Sequence, residues 1–139
     1  MIWVHALGLG ETIGLTLFLK NLSENFENKT ILFTSSTLNS YLAFKNTNIN
    51  ENIIHQFAPV DNYKSLGKFL AYWKPCMALI SEIDLWPLRV LEVKKLDIPL
   101  ILFNSRMNEK KKNNRKIIYK TFKKMLNCFD YIYLQDEES

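Results

Sequence analysis

At 139 residues, 47% hydrophobic and 23% charged, the chain is sized for one α/β domain whose core needs no staples. Two cysteines, Cys76 and Cys128, without metal-type spacing argue against a disulfide scaffold or a zinc module and favour a reducing compartment, the cytosol. No apolar run approaches the ~18–20 residues of a membrane span, and no signal-peptide pattern opens the chain.

Short apolar runs alternate with helical patterns, the rhythm of a parallel sheet. The first predicted strand, Ile2–Leu7, leads into HALGLGE (His5 to Glu11) and a helix over Glu11–Phe26. A second strand, Thr30–Thr34, precedes Ser36 or Thr37 as the cap of a helix over Leu38–Lys45. The polar stretch Asn46–Asn52 is too short to link domains. Strand Ile53–Phe57 is followed by Asp61 or Asn62 as the cap of a helix over Asn62–Trp73. Pro75 and Pro99 end helices just before strands Cys76–Ser81 and Leu100–Phe103, while Pro87 suits the first turn of a helix over Leu85–Lys95. A helix over Asn108–Phe129 and a strand at Tyr131–Leu134 complete the pattern. The abrupt start at a core strand and the closing QDEES read as the ends of a piece cut from a longer protein.

The net charge of +4 is uneven. Residues 109–124 carry eight Lys/Arg against one Glu, a local +7, which leaves −3 elsewhere. In that segment Ile118, Phe122, Met125, Leu126 and Phe129 share one helical side, and Lys116, Lys120, Lys123 and Lys124 mostly lie off it. The basic face is either an ordinary solvated surface or a contact with anionic lipid headgroups.

The expected fold is α/β, a Rossmann-like open parallel sheet with helices on both faces. Ligands bind such sheets beyond the carboxyl ends of the strands. The loops there are Gly8–Glu11, Ser35–Thr37, Ala58–Asp61, Glu82–Trp86 and Asn104–Glu109. Gly8, Gly10 and Gly14 nearly match the dinucleotide fingerprint, but Ile13 stands where its third glycine belongs, and Thr34-Ser35-Ser36 replaces the expected acid. Glu11 would also repel a pyrophosphate at that turn. The turn therefore presents Glu11 itself, its glycines allowing a sharp bend and room for substrate, or else Glu11 is a first-turn acid favouring the helix dipole.

Three stretches resemble one family. HALGLGE is similar to the HAVSVGE-type segment of 3-deoxy-D-manno-octulosonic acid (Kdo) transferases of lipid A biosynthesis. SEIDLWP (Ser81 to Pro87) resembles their ETELWP segment, and NSRMNEK (Asn104 to Lys110) resembles NARLSEKS. The closing YLQDEE resembles the AQSEED stretch of the same domain. The ordered match covers essentially the whole chain. It departs at Gly8, where the family has Ser, at Asp84, where it has Glu, and within NSRMNE.

The resemblance implies one half of a GT-B glycosyltransferase: residues 1–139 as the amino-terminal, acceptor-side domain, with the carboxyl-terminal donor-binding domain and the membrane-anchoring start absent. It implies an inverting transfer of Kdo from CMP-Kdo to the lipid A precursor, lipid IVA, at the cytoplasmic face of the bacterial inner membrane, with no cofactor and no metal. Glu11 maps onto the general base and Glu82 onto a transition-state-stabilising position. Gly8, Gly10, Ser35, Asp84, Asn104 and Arg106 are the substrate-binding candidates, and Lys116, Lys120, Lys123 and Lys124 the membrane-surface candidates.

Each assignment has a structural alternative. Glu82 could pair with Arg89 or Arg106, and Arg106 could serve an acceptor phosphate or hold Glu82 or Glu109. Trp86 and Pro87 read as loop packing, His5 as a satisfied strand residue, and His55 has no motif around it. At the level of the whole chain, the alternatives are a non-catalytic fragment or a nucleic-acid-binding module using residues 110–124. The confinement of the basic residues to one segment argues against the second.

Overall fold

The computed structural model describes residues 1–48, 50–81, 86–105 and 116–134, with side chains in the last helix from residue 120. Glu82, Asp84, Arg106 and the side chain of Lys116 lie outside the described residues, as do residues 108–115 of the predicted basic helix.

Six strands, β1 (Ile2–His5), β2 (Ile31–Ser35), β3 (Ile53–Phe57), β4 (Met77–Ser81), β5 (Leu100–Ser105) and β6 (Tyr131–Leu134), form one sheet in the order β3-β2-β1-β4-β5-β6. Every adjacent pair is parallel. β1 lies between β2 and β4, with Val4 opposite Phe33 on one side and Leu79 on the other. The chain reverses its direction of travel across the sheet there, the place where open α/β sheets bind their ligands.

Strand alternation feeds two cores. Trp3, Leu32, Ala78 and Ile80 point to one face, where they meet Phe69 and Leu70 of α4 (Tyr63–Trp73), Val90 and Val93 of α5 (Pro87–Lys95), and Met125 of α6 (Lys116–Leu126). Ile2, Val4, Ile31, Phe33 and Leu79 point to the other. That face is covered by Leu15, by Leu19 of α2 (Thr16–Asn25) and by Phe44 of α3 (Leu38–Lys45), with α1 (Leu9–Gly14) packed on α3. β1 and β2 are buried throughout; Ile2–Val4 and Ile31–Phe33 are apolar, and the buried polar residues His5, Thr34 and Ser35 lie at the carboxyl ends of the two strands. Among the described residues no helix is long and apolar enough to cross a membrane.

Thr37 caps α3 and Asn62 caps α4, each side chain accepting a backbone N–H three residues on. The predicted helix over Glu11–Phe26 is two helices. Leu15 is buried between them, and Gly14, a weak helix former, closes the first. The sharp-bend role expected of the glycines is not needed either, because none has positive φ. Gly8 is extended (φ −129°), and a Cβ there would lie 3.2 Å from Glu11 Oε2. Its value is clearance for that carboxylate. A Cβ on Gly10 would meet nothing within 4 Å.

Candidate functional site

β1 delivers the chain to the rim at His5, and Leu7 accepts a hydrogen bond from the Ser36 amide as the turn begins. Gly8 then opens α1. Its N–H donates to Glu11 Oε2 at 2.8 Å, and its carbonyl accepts from the Thr12 amide and from Thr12 Oγ1 at 2.8 Å. Glu11 is thus the third helical residue reaching back to the cap amide, half of a capping box. Its other oxygen has no partner among the described residues, and the residue is half-buried. The structure thus shows the helix-start role of Glu11.

Beneath the turn lies a buried polar chain. His5 Nδ1 is 2.9 Å from Thr34 Oγ1, which also accepts from Trp3 Nε1 at 2.9 Å. His5 Nε2 meets Arg89 Nη1. A guanidinium only donates, so Nε2 must be the lone-pair nitrogen and Nδ1 must carry the proton; the tautomer follows from donor capacity. Arg89 is 4% exposed and its Nη2 also approaches the Pro59 carbonyl at 3.4 Å. Asp61 accepts from the Arg89 amide at 2.8 Å and from the Leu88 amide at 3.3 Å, capping α5 from the loop after β3. Trp86, the cap residue of α5, supplies no side-chain cap of its own.

The other candidates are dispersed. Ser35 is fully buried at the end of β2 with its hydroxyl 2.8 Å from His55 Nε2, so the structure takes it off the ligand-facing surface. His55 is ringed by Phe33, Tyr41, Phe44 and Phe57 at centroid distances of 5.0 to 5.6 Å, and burial lowers its pKa. Asn104, the penultimate residue of β5, adopts the left-handed region (φ 54°) within the register shift between Leu102 and Ser105. Asn tolerates that conformation better than most residues, and such irregularities re-aim side chains at a sheet rim. Ser81, the last residue of β4, is buried with no hydrogen-bond partner for its hydroxyl among the described residues. Lys120, Lys123 and Lys124 are exposed on α6, on the sheet face opposite α1. No cluster of metal-ligating side chains occurs among the described residues.

Sequence reasoning placed His5 correctly as a satisfied strand residue but missed its partnership with Arg89 across 84 positions. One signal was available. Arg89 is a cation in the first turn of a helix, the end that favours anions.

Strand order and parallel pairing define a Rossmann-like α/β domain. The family described as 3-deoxy-D-manno-octulosonic-acid transferase (kdotransferase) matches residues 1–139, and the chain belongs to that family. The chain is 36% identical over 110 residues to an Arabidopsis thaliana protein named "Probable 3-deoxy-D-manno-octulosonic acid transferase, mitochondrial", covering 79% of this chain and 24% of that one. It is 31% identical over 137 residues to the 3-deoxy-D-manno-octulosonic acid transferase of Rickettsia typhi, covering 99% of this chain and 29% of the relative. The chain thus spans about a quarter of the length of these curated relatives. In fold it is similar to a Listeria monocytogenes protein whose crystal structure is described as that of a UDP-N-acetylglucosamine 2-epimerase. The TM-score is 0.67 at 10% identity, over 99% of this chain and 39% of that one.

Proposed function

We propose that this chain is the amino-terminal, acceptor-side part of an inverting Kdo transferase that moves Kdo from CMP-Kdo to a lipid A precursor, lipid IVA, and that Glu11 is its general base. The observation that carries the reading is the position of Glu11: a half-buried carboxylate at the switch point, held by one oxygen and available through the other. In the transfer, the acceptor hydroxyl oxygen bonds to the Kdo anomeric carbon while the bond from that carbon to the CMP phosphate oxygen breaks. The hydroxyl proton passes to Glu11, which acts across about 2.6–3.2 Å in the assembled complex. CMP leaves as an anion and needs no strong acid.

Glu82 is assigned to opposing positive charge on the oxocarbenium-like sugar, with Asp84, Asn104, Arg106, Gly8 and Gly10 beside the acceptor. Donor binding is assigned to a carboxyl-terminal domain, and the site of action to the cytoplasmic face of a bacterial inner membrane. The exposed Lys120, Lys123 and Lys124 support contact with anionic headgroups there, each well-placed cation contributing roughly 1 kcal/mol.

The test uses the chain joined to its donor-binding half and follows Kdo transfer from CMP-Kdo to lipid IVA. Glu11→Gln keeps an oxygen for the Gly8 amide and is expected to lower kcat by about 10²–10⁴-fold with the fold retained. A Glu11→Gln enzyme within threefold of wild type would remove the assignment.

A further inference from the structure

The start of α5 lacks what the starts of α3 and α4 possess. Thr37 and Asn62 cap their own helices, whereas Trp86 offers α5 no side-chain cap. Among the described residues two distant groups hold α5 instead: the Asp61 carboxylate on the Leu88 and Arg89 amides, and His5 at the end of β1 on the Arg89 guanidinium. Where α5 begins is therefore decided by β1 and the β3–α4 loop.

A buried guanidinium is an expensive way to fill space. An apolar pair of similar volume at positions 5 and 89 is expected to pack as well or better, so stability alone does not account for the choice. Direction does. Arg89 gives hydrogen only, His5 receives at Nε2 and gives at Nδ1, and Thr34 receives, so the groups fit one arrangement and no slipped one.

We propose that His5 and Arg89 are positioning residues: their contact fixes the start of α5 against the end of β1, three residues before the turn that holds Glu11. His5 stands three residues before Gly8, whose amide holds Glu11, so loosening the pair loosens that amide. The effect on transfer rests on Glu11 being the base; the effect on the rim does not.

Amide hydrogen exchange on the 139-residue chain decides the point. In Arg89→Met, Gly8, Leu88 and position 89 are expected to exchange about tenfold faster or more, while Val4, Leu32 and Ala78 in the sheet keep wild-type rates, the signature of local opening. The double variant His5→Leu/Arg89→Met removes both members of the contact and should still lose protection at Gly8. His5→Gln, which retains an acceptor for Arg89, should stay within threefold of wild type. Uniform acceleration across the sheet, or a double variant with full protection at Gly8, overturns the proposal. In the enzyme joined to its donor half, the double variant is expected to lose about tenfold in kcat with acceptor KM within twofold; an effect on KM alone overturns the catalytic consequence. Absence of transfer in the wild type would remove the Glu11 reading and leave the exchange result to stand by itself.

Discussion

The two helix starts that face each other across the switch point are built on opposite plans. α1 is capped by its own third residue, through one hydrogen bond within a solvent-accessible turn. α5 is capped from another loop and anchored by a guanidinium 4% exposed. A local cap can open and close without disturbing anything else; a long-range buried cap cannot. The contrast teaches that Glu11 is part of an adjustable helix start, whereas the start of α5 is fixed from outside the helix.

The comparison breaks first, if it breaks, at Arg89. Arg89→Met removes the buried hydrogen bond from the guanidinium to His5 Nε2, and losing a buried bond from a charged donor costs about 1–3 kcal/mol. Urea unfolding should show that loss, and a variant as stable as wild type would mean that α5 is not anchored as described. Asp61→Ala removes the acceptor of two helix amides and should cost about 1–2 kcal/mol by the same measurement. Glu11→Gln should cost a few tenths of a kcal/mol at most, since the amide oxygen still receives the Gly8 N–H. If its cost equalled that of Asp61→Ala, the two starts would not differ in kind.

The smallest expected effect separates both starts from the sheet edge. Burial lowers the pKa of His55 beneath its ordinary value of 6.5. As pH falls through 6.5 the unfolded chain takes up a proton that the folded chain refuses, so stability declines toward acid and is complete above that value. His55→Phe should flatten this limb of the stability–pH profile, and the Arg89 and Glu11 variants should retain it.

Much of the fold was legible because it rests on local rules. All six strands lie where apolar runs meet Gly, Pro or polar punctuation, and Thr37, Asn62 and Pro87 occupy their expected places. The break at Leu15 was hidden, because Leu15 and Leu19 continue a helical apolar pattern across it and Gly14 alone is a weak signal for a helix end. Of the site, Glu11 could be found from its turn and from the family resemblance. Asp61 looked like a cap and is one, but for α5, since nothing in a sequence tells a carboxylate which of two nearby helix starts it will reach. Ser35 was misjudged because a rim position does not reveal burial; an aromatic cluster around His55 had to be assembled before its hydroxyl was seen to face inward.

β6 closes one side of the sheet with Tyr131, Ile132, Tyr133 and Leu134 all solvent-accessible and with β5 as its neighbour in the sheet order. Among the described residues no further strand pairs with its outer edge, and a ribbon with apolar side chains on both surfaces invites another extended segment to zip alongside it. Handled in isolation at high concentration, these 139 residues should therefore self-associate through that border, and a charged substitution at Ile132 is the simplest remedy for anyone who needs the domain as a monomer.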